Sequence, residues 1–259
     1  MQPFDPGIDV RFGWNPITIH YGPGVIGPEP EFRRLQDIRS SLKDPNCDGP
    51  DPVYGIVMDV CEEAHRAELR QRHLLFGVVV YAAGRLGSEP VRSQGHVHKI
   101  AAHSGWSAPE IFEIWSGKGT IYMQESAADD PGRCFAIEAL PGDKVVVPPG
   151  WAHAVISGDP EQPLVFGAWC ERDYGFVYDA VRAHGGLARF PELATGSIEW
   201  RANPRYLSSE IIVRRARSYP ELRLRDSFPL YRHLKEDTES VEWVAFPGKQ
   251  EGLWRKFEP

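Results

Sequence analysis

A chain of 259 residues with 42% hydrophobic and 25% charged residues has the makeup of a globular protein, long enough for one large β-barrel with decoration or two small domains. Its net charge of -7 argues against nucleic-acid binding, because the nearest basic cluster, Arg214, Arg215 and Arg217, is short and flanked by Glu210 and Glu221. No apolar run reaches the ~18 residues of a membrane span and no basic-then-apolar leader opens the chain, so the expectation is a cytoplasmic protein without a membrane partner.

Residues 1–52 are turn-rich, with one stretch from Glu31 to Leu42 whose Phe32, Leu35, Ile38 and Leu42 share a helical face and predict a helix. Asp44 to Pro52 (DPNCDGPDP) is a loop. Strands follow over Val53–Cys61, Leu74–Ala82 (a continuous β-branched run), Ile111–Trp115, Gly119–Gln124, Phe135–Ala139, Lys144–Val147, Ala154–Ser157 and Leu164–Trp169. Many short strands separated by turns read as a sandwich or small barrel. Val177–His184 predicts a helix ending at Gly185-Gly186, and the region from Arg201 onward shows little periodicity. The organisation is an N-terminal extension over 1–52, a barrel over 53–176, and a C-terminal extension over 177–259, both extensions packed on the barrel. Cys47, Cys61, Cys134 and Cys170 lack C-x-x-C spacing, which removes zinc-finger and redox-motif readings and fits free thiols in a reducing compartment.

The chemistry-bearing pattern begins at Gly95-His96-Val97-His98. Residues two apart on a strand point to one face, so His96 and His98 aim at one point. Glu110 opens the strand EIFEIW, and the turn Pro148-Pro149-Gly150-Trp151-Ala152-His153 brings a third histidine to the start of another strand. Three imidazoles and a carboxylate suit one divalent metal ion, Fe2+, Mn2+, Zn2+ or Ni2+, with positions left for water or substrate. Glu113 lies an odd number of residues from Glu110 and faces the other side of its strand.

GHVH, EIFEIWSGKG and PGDKVVVPPGWAH resemble the paired motifs of the cupin superfamily, and more narrowly those of the cupin-type phosphoglucose isomerases of archaea and some bacteria. Pro52-Val53-Tyr54, Gly84-Arg85-Leu86-Gly87-Ser88-Glu89, Asp173-Tyr174-Gly175 and Asn203-Pro204-Arg205-Tyr206 extend the resemblance over residues 50 to 206. It implies an all-β cupin barrel, a double-stranded β-helix or jelly roll with short helical extensions. It further implies metal ligation by His96, His98, Glu110 and His153, and interconversion of glucose 6-phosphate and fructose 6-phosphate by a homodimer. The departures fall on the substrate side. Val78-Val79 stands where the family has threonines, Ser93 replaces a phosphate-binding threonine, and Phe112 replaces a pocket tyrosine. Cys170 and Arg172 replace a tyrosine and a histidine near the sugar, and KIAAHSGWSA is inserted between His98 and Glu110.

On this reading Glu110 is the favoured base for proton transfer through an enediol as well as a ligand, a metal-stabilised hydride shift between C1 and C2 being the alternative. Candidates for holding the sugar phosphate are Tyr54, Ser93, the amides of Gly87 and Gly95, and the cations Arg85, Arg92 and Arg172, arginine being the better planar clamp for phosphate; Phe112 and Tyr174 are further candidate substrate contacts, Tyr174 closing the pocket. The rival readings are another cupin metalloenzyme, an epimerase, lyase or oxygenase acting on a modified sugar or small acid, which Val78-Val79 favours, and a non-enzymatic sugar-binding module.

Overall fold

The computed structural model describes residues 4–259. Its ten principal strands are β1 (Glu31–Arg33), β2 (Tyr54–Met58), β3 (Leu74–Tyr81), β4 (Glu110–Ser116), β5 (Gly119–Gln124), β6 (Cys134–Ala139), β7 (Lys144–Val147), β8 (Ala152–Ser157), β9 (Leu164–Glu171) and β10 (Ile211–Arg215). A six-stranded sheet runs β7-β4-β9-β3-β2-β1 and a four-stranded sheet runs β8-β5-β6-β10. All pairings are antiparallel except β6–β10, which is parallel. Val79, Phe112 and Phe166 of the larger sheet share one buried cluster with Met123, Phe135, Ile137 and Val155 of the smaller one, so the two sheets close on a common interior. This is an all-β barrel of two facing sheets, the class that the strand pattern predicts.

Each extension lends the barrel an edge strand: β1 comes from the N-terminal one and β10 from the C-terminal one. The helix expected over Glu31–Leu42 is therefore only partly there. Glu31, Phe32 and Arg33 pair with Ile56, Gly55 and Tyr54, and helix is left to Leu35–Ile38 and a 3-10 turn at Arg39–Ser41. Leu35, Ile38 and Leu42 are buried as the periodicity required, while Phe32 stays exposed. Backbone pairing along an open sheet edge outweighs an amphipathic pattern this short. The second predicted helix contracts to Asp179–Ala183. Among the described residues no helix is long and apolar enough to cross a membrane.

Alternation explains why β3 reads as an unbroken apolar run. Leu75, Val79 and Tyr81 face the barrel interior. Phe76, Val78 and Val80 face outward into a second core built with Leu230, Tyr231, Leu234, Trp243 and Val244 of the C-terminal segment. Both faces are apolar because both are covered. Trp169 Nε1 donates to Leu230 O (3.0 Å) and the ring stacks on Tyr231 (centroids 5.6 Å), fixing that segment to the sheet.

Candidate metal centre

His96 sits on an extended segment that pairs with the start of β8: its amide donates to His153 O (3.1 Å) and the His153 amide donates back (2.9 Å). This pairing sets two of the histidines side by side. Gly95 makes the approach feasible. Its φ of +88° favours glycine, and a Cβ there would stand 2.7 Å from Leu187. Glu110 enters from β4, where it pairs with Val147. His98 is held by its own flank: Nδ1 donates to Ala108 O (2.9 Å) while Ser107 Oγ donates to His98 O (2.6 Å).

The four side chains converge. His96 Nε2 and His98 Nε2 are 3.2 Å apart, and Glu110 Oε2 lies 3.1 Å from His153 Nε2 and 3.4 Å from His98 Nε2. His153 Nδ1 donates to Trp151 O (3.1 Å). A backbone carbonyl thus takes the Nδ1 proton of both His98 and His153, leaving their Nε2 lone pairs turned to the centre. Nitrogen lone pairs and a carboxylate facing one another in a buried space repel unless a cation lies among them. The donor set therefore fits a divalent transition metal. Burial pushes Glu110 up, but where protons rather than a cation occupy the Nε2 atoms of His153 and His98, their hydrogen bonds outweigh it and hold the carboxyl well below its usual range. Burial and the neighbouring His153 and His98 push His96 well down. Cys170 Sγ donates to the other carboxylate oxygen, Oε1 (2.7 Å), so Glu110 is oriented from both sides.

A cavity opens over this centre. Of the expected substrate residues, Tyr54, Ser93 and Phe112 line it. Val79 lines it too, whereas Val78 faces the outer core. Ser93 Oγ accepts from the Val155 amide (3.2 Å). Tyr174 lies in an adjoining groove beside Phe176, and Gly95 stands behind His96 rather than on the wall.

None of the three arginines proposed from sequence reaches the cavity. Arg172 turns to the barrel exterior, gripping Asp59 through both Nη atoms (2.8 and 2.6 Å) and Leu74 O (2.8 Å). Arg92 is buried against Glu89 (2.9 Å) and Ser41 O (2.6 Å). Arg85 is exposed on its own short strand. The cation that does line the cavity, alone among the described residues, is Arg33 of β1. Sequence reasoning also missed Gln94, Tyr81, Phe176 and Tyr178 on the wall. Gln94 had a signal, two residues before His96 on the same extended segment. Arg33 had none, because β1 pairing with β2 brings it there.

A family model described as glucose-6-phosphate isomerase matches residues 33–206. Glucose-6-phosphate isomerases of Thermococcus litoralis and Pyrococcus furiosus are each 27% identical over 197 residues, covering 73% of this chain and 95% of theirs. A putative glucose-6-phosphate isomerase 1 of Rhizobium meliloti is 29% identical over 154 residues, 58% of this chain and 65% of that one. Among solved structures, an oxalate oxidase in complex with glycolate is similar at a TM-score of 0.35, with 14% identity, 48% of this chain and 54% of that chain being covered.

Proposed function

The chain belongs to the glucose-6-phosphate isomerase family, and from that premise we propose that it interconverts glucose 6-phosphate and fructose 6-phosphate, as an aldose–ketose isomerase, at the centre formed by His96, His98, Glu110 and His153. The observation that carries this reading is the pairing of a four-donor metal centre with a single cation, Arg33, on the wall of one cavity. A divalent ion bound there supplies Lewis acidity to the oxygens on C1 and C2 of the open-chain sugar.

The chain's own residues have separable tasks. Arg33 meets the phosphate as a planar, permanently charged donor, with Tyr54 and Ser93 on the same wall. Glu110, anchored through Cys170 and the histidines, takes the C2 proton of the aldose and returns it to C1, while the proton of the C2 hydroxyl passes to the C1 oxygen, so the sugar isomerises with no net oxidation. Phe112, Phe166 and Val79 keep that transfer out of bulk water. We assign the enzyme to the cytoplasm as a homodimer, which a dimeric mass by light scattering at micromolar concentration checks.

Proton NMR in deuterated water tests the function. The metal-loaded enzyme incubated with glucose 6-phosphate gives fructose 6-phosphate, and Arg33→Ala raises KM far more than it lowers kcat. No turnover and no exchange at C1 or C2 with any hexose or pentose phosphate would assign the same centre to another small substrate.

A further inference from the structure

A second histidine–carboxylate cluster lies on the other side of the insertion that separates His98 from Glu110. His73, His103, Glu171 and Asp173 each offer one ligand atom, all within 4.8 Å of one another. His103 belongs to the inserted segment 99–108, His73 follows the helix Arg66–Gln71, and Glu171 and Asp173 end and follow β9. We propose that these four residues bind a second divalent transition-metal ion, of the zinc class, which clamps the insertion to the end of β9.

The argument starts at His103. Its Nε2 donates to Ala245 O (3.0 Å), which in the neutral imidazole leaves Nδ1 as an acceptor. That Nδ1 is buried and has no hydrogen-bond partner. It faces Glu171 Oε1 at 3.5 Å and Asp173 Oδ2 at 3.9 Å. An acceptor aimed at two carboxylates from within the fold is a repulsive arrangement that a bound cation resolves. The construction repeats that of His98 and His153, each tied by one nitrogen to a backbone carbonyl and presenting the other to Glu110.

His73 adds a fourth donor at a conformational cost. Its φ of +57° lies in the left-handed region where a glycine or asparagine ordinarily ends a helix. Its ring stacks on His103 with centroids 4.0 Å apart, and Phe246 braces both rings edge-on. Metal bonds of about 2.0–2.2 Å draw ligand atoms to roughly 3.5 Å of one another. The exposed Asp173 is free to make that adjustment, whereas His103 and Glu171 are anchored. Two imidazoles with two carboxylates select zinc-like ions over calcium or magnesium, which prefer oxygen alone. Cys170, which donates to Glu110 Oε1, is the neighbour of Glu171. The clamp therefore holds both the segment preceding Glu110 and the strand that orients it.

The test is zinc stoichiometry after exhaustive dialysis, read by mass spectrometry on the full chain. The expected result is two ions in wild type and one in each of His103→Ala and Asp173→Asn, the latter an exposed change that leaves the fold alone. Zinc also slows tryptic cleavage after Lys99 in wild type and fails to do so in Asp173→Asn. His153→Ala keeps one ion, which separates the two centres: if wild type binds two ions and His153→Ala keeps one, but metal-loaded wild type fails the isomerase assay, the clamp stands and the functional reading, on which the clamp does not rest, falls. Two ions retained in both Asp173→Asn and His103→Ala would overturn the clamp, as would a wild-type chain whose single ion is lost in His153→Ala.

Discussion

Glu110 and Glu113 stand three residues apart on β4, both buried, and the protein drives them in opposite directions. Glu110 looks into the barrel, where, with protons rather than a cation on their Nε2 atoms, hydrogen bonds from His153 and His98 overcome burial and hold it well below its usual range. Glu113 looks outward into the core under the C-terminal segment, receiving Lys144 Nζ (3.2 Å), Trp115 Nε1 (3.2 Å) and the Leu230 amide (2.9 Å). There burial outweighs Lys144 and raises the carboxyl to about 7. One strand carries the glutamate we propose as the base on its inner face and an ion-paired one on its outer face, and the partners each meets set them apart.

The two positions predict different failures. Glu110→Gln removes the base and weakens metal binding while the outer core is untouched, so kcat falls by roughly 10²–10⁴ with a near-normal urea midpoint. Glu113→Ala leaves Lys144 without its carboxylate in a buried site and costs about 3–5 kcal/mol of stability, with metal content unchanged. If Glu113→Ala loses metal at normal stability, the division between faces is wrong.

Val78 and Val79 sharpen the same contrast one strand away. Val79→Thr places a hydroxyl on the cavity wall and lowers KM for glucose 6-phosphate by about tenfold, a charge-assisted hydrogen bond being worth about 1.5–3 kcal/mol. Val78→Thr buries its hydroxyl in the outer core and costs about 1–3 kcal/mol at unchanged KM. Steady-state kinetics and denaturant titration on the two variants decide the matter.

The smallest effect is the pH dependence. The folded-state pKa of Glu113, about 7, lies above its ordinary value of 4.5. The folded chain therefore binds more protons than the unfolded chain between those values, and stability is lost as pH rises from 4.5 through about 7. Glu113→Gln has no proton to lose and shows less of that decline when urea midpoints are compared across the window. An identical pH slope in the two proteins would contradict the assignment.

The convergence of His96, His98, Glu110 and His153 was largely legible. A period-two H-x-H, a strand-opening glutamate and a proline-glycine turn before a histidine are local patterns, and strand geometry converts them into convergence. The strand pattern likewise located most of the barrel, since alternation and turns act over a few residues. Two misreadings show where local signals fail. The Glu31–Leu42 helix lost its first turn to an edge pairing with β2, and Arg172, expected at the sugar, was taken by Asp59 of another loop.

By itself, then, the amino-acid order determined the barrel class, the four inner donors and the outward direction of Glu113, because each follows from spacing along one chain segment. Only the tertiary structure decided which cation meets the cavity, that Cys170 orients Glu110, and that His73, His103, Glu171 and Asp173 share one point. Those residues are brought together by sheet order and by the packing of an insertion, and contacts between segments far apart in the chain leave no periodicity to read.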